Sequence, residues 1–319
     1  MRLFISCLLF SLIQHSSAQC RNAQYYYQLN LAKYHSFKGE YKKALKIYKY
    51  TEATGGFHNL DYRIASVYYN LGKNEKGLFH LEEYLRKGGD IKLVMRNRKK
   101  IFNNRITKQD SSFLVLKKYE YQSMYFSKID VSLYNLVQRW YHTDQYFSIW
   151  QNDLLGNKKE QHKIRQKIFQ NNLTELREFI VKDNKGLIPQ FSQLGYYLKP
   201  LSLMFIHHTR KDSIDEVNHK FFKHLLKEEV CTRFTYSPVS YVQLIDNMQR
   251  VWEEGEPQVY GHYINHKIKQ IYPLKFPGKV DSLRAEIGLL PLKIYAEMKN
   301  VKLPENYNNS NDSHSIKCN

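Results

Sequence analysis

At 319 residues and 42% hydrophobic content, the chain is long enough for roughly two domains with real cores. A formal charge of +19 and 26 tyrosines would suit nucleic acid, anionic polysaccharide or acidic lipid head groups. The basic residues are nevertheless spread along the chain. The one dense run is Arg96-Asn97-Arg98-Lys99-Lys100, with no nucleic-acid motif beside it, so the charge reads as a solvated surface and no nucleic-acid partner is expected.

The chain opens with Arg2, an apolar run from Leu3 to Ile13 and then Ser16-Ser17-Ala18. This is the charged, apolar and small-residue order of a signal peptide over residues 1–18, too short to span a bilayer. Cleavage after Ala18 leaves Gln19-Cys20 at the new terminus. A lipid anchor on Cys20 is the less fitting alternative, because Gln19 is not the small residue that normally precedes a lipidated cysteine. The mature chain is therefore expected to be exported, periplasmic or extracellular, and not membrane-spanning. Cys20, Cys231 and Cys318 remain after cleavage and allow at most one bridge, of which Cys20–Cys318 would tie the two ends together. No cysteine pair has zinc-site spacing.

From Asn22 to about Asp90 the pattern is helix, turn, helix, repeated. Tyr41, Ala44, Leu45 and Tyr48 form one stripe of an amphipathic helix. Gly39-Glu40-Tyr41-Lys42-Lys43-Ala44-Leu45 is echoed by Gly72-Lys73-Asn74-Glu75-Lys76-Gly77-Leu78, and Leu29 and Ala32 fall on Tyr62 and Ala65 at the same offset. The period, the turn glycine and the small residue early in the second helix resemble the tetratricopeptide repeat. Small residues let the helices of a hairpin approach closely, and the next hairpin buries the remaining apolar face. The resemblance implies a docking surface for a protein or peptide, for which Tyr26, Tyr27, Tyr62 and Tyr69 are candidates. Thr54-Gly55-Gly56 separates the hairpins, and Ile91 to about Ser127 adds further helix, with 110–125 read only as connector or helix.

Leu133, Val137 and Trp140 restart helical spacing. Lys158 to Gln170 reads as a polar helix, and Leu173, Leu176 and Ile180 mark the next. Lys185-Gly186-Leu187-Ile188-Pro189 is a break. Two stripes follow: Ile214, Val217, Phe221 and Leu225, then Tyr241, Leu244, Ile245, Met248 and Trp252, the second opened by Ser237-Pro238. Gly255-Glu256-Pro257 stops it. Asp281 to Glu286, stopped by Gly288, and Leu292 to Lys299 are the last helices. The Asn- and Ser-rich tail from Asn306 is expected to be disordered.

From about Tyr141 to Lys299 the chain resembles an uncharacterised bacterial family, domain of unknown function 6624. The matching pieces are Asp144-Gln145, His208 after an apolar helix, Gly255-Glu256-Pro257-Gln258-Val259-Tyr260-Gly261, Asp281-Ser282-Leu283-Arg284, and Gly288-Leu289 with Leu292 to Tyr295. The chain departs from the family at His207-His208, at His262-Tyr263 and at Ile188-Pro189. The family's Asp-Arg step has only Asp246 and Arg250 nearby, out of register. The resemblance implies a domain type and candidate positions, and the departures would suit an altered or inactive member.

On their own chemistry, His208 could act as general base with Asp144 orienting its ring. Gln258 and Tyr260 could donate to a developing negative charge, and Gly261 would let backbone approach a ligand. Gln145, His207 and His262 complete the candidate ligand contacts. A histidine on the run Leu203-Met204-Phe205-Ile206 is equally suited to a buried core position. His262 and His266 would share a helix face, but Tyr260-Gly261 is a poor helix start and no HExxH motif is present. No metal or cofactor is expected.

The expected fold is all-α, with TPR-like hairpins over 19–127, a helical domain over 128–300 and a disordered tail over 301–319. The function expected is that of an exported cell-envelope binding or scaffold protein with a polar pocket in its second half. The alternatives are a hydrolase-like enzyme using His208 and a binder of anionic polymers.

Overall fold

The computed structural model describes residues 20, 22–54, 60–149, 158–196, 201–202, 204–205, 216–233, 236–246, 251 and 255–307. Within them the chain is all-α apart from one small ribbon. The 14 helices are α1 (Ala23–Phe37), α2 (Tyr41–Ala53), α3 (Leu60–Asn70), α4 (Asn74–Arg86), α5 (Ile91–Arg96), α6 (Lys108–Leu116), α7 (Lys118–Phe126), α8 (Val131–Ile149), α9 (Lys158–Lys182), α10 (Phe191–Leu194), α11 (Glu216–Thr232), α12 (Pro238–Asp246), α13 (Val280–Glu286) and α14 (Leu292–Lys299). Strands β1 (Ile264–Asn265) and β2 (Gln270–Ile271) pair antiparallel, Ile264 facing Ile271. No helix among the described residues is long and apolar enough to cross a membrane.

The echo in the first half is repeated in the backbone. Helices α2 and α4 are both 13 residues long, and the glycines before them, Gly39 and Gly72, take φ +76° and +75°. That left-handed conformation costs little only without a Cβ. Leu29, Ala32, Tyr62 and Ala65 are all buried, as is Ala44. A Cβ on Gly77 would stand 2.5 Å from the Tyr69 ring, so the small residue there is the condition for α3 and α4 to pack.

Between residues 91 and 126 the connector becomes three short helices. Asp90 caps α5 by accepting from Lys92 N, and Thr107 with Asp110 forms a capping box that starts α6, satisfying amides with no intrahelical partner. Helix α7 returns onto α4. The hairpin tyrosines are not a surface. Tyr26 is 1% exposed and Tyr69 0%, Tyr62 is buried as well, and only Tyr27 is half-buried. Their rings fill gaps between helices, with Tyr69 OH on Asp110 Oδ2 and Tyr26 OH on Tyr236 O.

In the second half, the two helices expected between Lys158 and Ile180 are one, α9, because no glycine or proline interrupts them. Buried Asn172 fastens its middle to α8 through Trp140 O and Thr143 Oγ1. The stripe expected on α11 is displaced. Val217 is 64% exposed, and the buried face carries Asn218, Phe222, Leu225, Leu226, Glu229 and Val230. On α12, Tyr241 and Leu244 are buried as expected, while Met248, Trp252 and Ile214 lie outside the described residues.

The last helices turn back onto the first. Both α13 and α14 pack on α1, with Asn30 Nδ2 donating to Gly288 O at 2.9 Å and Lys38 Nζ pairing with Glu297 at 2.8 Å. A Cβ on Gly288 would collide with Ala23 O and the Tyr26 side chain, so this glycine ends a helix and permits the closure. One core cluster consequently runs from Cys20 to Leu289. The disulfide joins Cys20 to Cys231, with Cα atoms 4.4 Å apart, and not to Cys318. Residues 301–303 run beside β2, Asn306 bonds both polar backbone atoms of Leu274, and Tyr307 OH reaches Asp281. The start of the Asn-rich tail is therefore held in place.

Candidate functional site

His207 and His208 lie outside the described residues. Asp144 and Gln145 sit on α8, with Asp144 1% exposed and accepting from Gln145 Nε2 at 2.8 Å. Gln258, Tyr260, Gly261 and His262 do come together, beyond α12, and the side-chain polar groups of Gln258 and Tyr260 are spent inside the fold. Gln258 Nε2 donates to Tyr263 O and Tyr272 O, both at 3.0 Å, while its Oε1 accepts from Tyr263 N at 2.7 Å. This side chain clamps the base of the β1–β2 ribbon. The Tyr260 hydroxyl is buried and bonded to Tyr241, and burial raises its pKa. Gly261 takes φ +69°, and a Cβ there would press on Leu292. The close approach it permits is thus to the protein's own core. His262 and His266 flank β1 and do not share a helix face.

Two residues that sequence reasoning left out of the candidate list organise this region. Asp246, at the C-terminus of α12, accepts from Val259 N at 2.7 Å, Tyr260 N at 3.0 Å and His262 N at 3.3 Å. Arg284 of α13, 3% exposed, donates from Nε to Leu290 O and from Nη1 to Tyr260 O, both at 2.6 Å, and lies over the Tyr295 ring. Burial pushes its guanidinium down to about 10, which leaves it charged at neutral pH. The sequence signals for them are the Asp281–Arg284 phrase and an aspartate out of register.

Asp246 and His262 titrate in opposite senses. Burial pushes the Asp246 carboxyl up to about 6, against the pull of three amides and Arg284. It therefore favours the folded state at low pH, and that contribution is lost as pH rises through about 6. Burial, aided by Arg284 and Lys299, pushes His262 down to about 4. It favours the folded state above the unfolded value of about 6.5, and this is lost as pH falls towards 4. The two slopes nearly cancel between pH 4 and 6. In urea denaturation at several pH values, His262→Gln is expected to lose roughly 2 kcal/mol relative to wild type as pH rises across that window. Asp246→Asn should move the other way, and parallel curves for all three proteins would refute the assignment.

A second feature is an open cleft of about 560 Å³ where the two halves meet. Glu83, Arg86 and Lys87 come from the end of α4, and Met124, Tyr125, Lys128 and Ile129 from the end of α7 and beyond. Gln190, Phe191, Ser192 and Gly195 surround α10, and Arg233 follows α11. The walls are pinned together, since Tyr196 N donates to Lys87 O at 2.9 Å and Tyr125 OH to Leu194 O at 2.7 Å. Gly195 takes φ +56°, and a Cβ there would meet Lys87 O. The floor is apolar and aromatic, and the rim carries four cations against Glu83. Arg86 and Arg233 are held by Glu83 and Glu229 and Lys87 by Asp61, while the Lys128 side chain stands exposed.

Comparison with protein-family models, with curated proteins and with solved structures finds no match.

Proposed function

We propose that the chain is an exported binding protein whose ligand site is the cleft between its helical hairpins and its second half. The observation that carries this reading is the combination of an apolar floor with a cationic rim on walls locked by backbone hydrogen bonds. Concave, largely apolar sites with a few convergent polar groups are where ligands bury most surface. Here the complement is an acidic peptide segment with one aromatic or aliphatic anchor, its side chain against Phe191, Met124 and Ile129 and its carboxylates facing Lys128 and the arginines. The hairpins, which resemble tetratricopeptide repeats, supply one wall. Export is supported by the signal-like first 18 residues and by the Cys20–Cys231 pairing, since persistent structural disulfides belong to oxidising compartments. A lipid on Cys20 would need the same sulfur.

The hydrolase alternative needs Gln258 and Tyr260 as free donors, and both are committed within the fold. The domain resemblance over the second half fits a structural role for these positions, the clamp and core contacts that seat α13 and α14.

The test is selection from a library of acidic peptides carrying one apolar anchor, against the mature, oxidised chain. Enrichment of binders that lose at least about tenfold in affinity, some 1.4 kcal/mol, on Phe191→Ala or Lys128→Glu is expected. Equal binding by both variants would remove the cleft from consideration. Affinity falling by several decades between low and physiological salt would instead mark an anionic-polymer surface.

A further inference from the structure

The first two hairpins bring together three metal-ligating side chains, none of which lines the cleft or belongs to the Asp246–Arg284 region. Glu52 stands in the last turn of α2, Asp61 in the first turn of α3 and His80 midway along α4. One ligand atom of each lies within 4.8 Å of the other two. They come from three different helices, so only the hairpin packing assembles them.

The carboxylate of Asp61 is divided between two tasks. Its Oδ2 accepts from Lys87 Nζ at 2.7 Å and from Tyr196 OH at 3.0 Å. Its Oδ1 faces His80 Nδ1 at 3.5 Å. That separation is long for a charge-assisted hydrogen bond, usually about 2.7–2.9 Å, and His80 Nδ1 is buried without a hydrogen-bond partner. Two ligands on one tetrahedral zinc, at bonds of roughly 2.0–2.1 Å, stand about 3.3 Å apart. A buried ring nitrogen thus looks across a metal-sized gap at a carboxylate oxygen. The ring is held in that direction by stacking on Tyr68 at 5.5 Å and by the edge-on Phe79 ring at 5.4 Å. Glu52, exposed at the mouth, can swing in as the third ligand.

We propose that Glu52, Asp61 and His80 form a binding site for a divalent transition-metal ion, with zinc the best match and water in the fourth position. One imidazole and two carboxylates suit zinc. Calcium would need six to eight oxygens, and three protein ligands including a nitrogen do not provide them. A bound ion would tie α2 to α3 and α4 on either side of residues 55–59.

The test uses the full mature chain, oxidised and metal-stripped, titrated with zinc chloride in a calorimeter. One equivalent is expected to bind. Glu52→Gln changes an exposed side chain and should leave the melting temperature of the metal-free protein unchanged, while His80→Phe keeps the stacked ring but not the nitrogen. Each is expected to weaken zinc binding by more than the roughly 10–100-fold typical of groups one step behind a ligand. His266→Ala, an exposed histidine elsewhere, should bind as wild type does. The proposal fails if the wild type takes up no zinc. It also fails if Glu52→Gln and His80→Phe bind it with wild-type affinity, or if His266→Ala alone abolishes binding, which would mark an adventitious ion only.

Discussion

Replacing Cys231 with serine is expected to lower the unfolding free energy by about 5 kcal/mol in the chain-entropy account. The bridge closes a loop of 211 residues, and a longer loop loses more freedom in the unfolded chain when it is closed. It also sits where the first helix meets the second half. Asn22 N donates to Cys231 O and Asn22 Nδ2 to Val230 O, both at 3.2 Å, and Tyr26 OH donates to Tyr236 O at 2.7 Å. Without the covalent tie these bonds must hold α1 in place alone. Urea denaturation of Cys231→Ser, of Cys20→Ser and of reduced wild type should give matching losses, with Cys318→Ser unchanged. A loss below about 1 kcal/mol in all three would overturn the bridge's role, because even short loops are expected to contribute more. Intact-mass analysis gives a second check, since a lipid on Cys20 excludes the bridge.

Replacing Arg284 with methionine is expected to cost about 2–5 kcal/mol, because each buried carbonyl left without a donor costs roughly 1–3 kcal/mol. The guanidinium reaches Leu290 O and Tyr260 O, covers the Tyr295 ring and faces Asp246 and Asp281. Its loss leaves two buried carbonyls without donors and the Asp246 charge with amides alone. Lysine is no substitute, since a single ammonium cannot span two carbonyls in the fixed fork that arginine presents. Adding Asp246→Asn should recover part of the loss, because the uncompensated charge disappears with it. A double variant whose loss equals the sum of the single losses would show that the two residues do not interact.

Both effects bear on function through the same geometry. Helix α1 is gripped from one side by the disulfide and from the other by α13 and α14. The hairpin wall of the cleft is therefore fixed against the wall built from residues 190–195 and Arg233. The ligand site proposed at the ends of four separate elements would need that fixity, because a shift of one wall would open the floor.

Local features were legible from residue order, because they depend on neighbours. The turn glycines Gly39 and Gly72, the small residues Ala44 and Gly77, the break at 185–189, and the starts of α12 and α14 all follow from backbone freedom, side-chain volume and helical spacing. All-α class follows from the same periodicity. What residue order alone could not give was the identity of long-range partners. Val217 fits the spacing of an apolar stripe, yet the face of α11 that is buried is set by α9 and α12. Tyr26, Tyr62 and Tyr69 look like surface tyrosines in an unknown docking groove, yet the neighbouring hairpins close over them. Gln258 has the chemistry of a ligand donor, but a two-residue ribbon folds back and uses both of its donors. The pairing of Cys20 with Cys231, the convergence of Asp246 and Arg284 on the Tyr260 backbone and that of Glu52, Asp61 and His80 each join positions far apart in the chain. Periodicity and propensity act over a few residues, whereas these contacts exist only once whole helices have packed. The sequence by itself therefore determined which segments are helices and where they stop, and tertiary packing alone decided which polar groups are spent and which remain for a ligand.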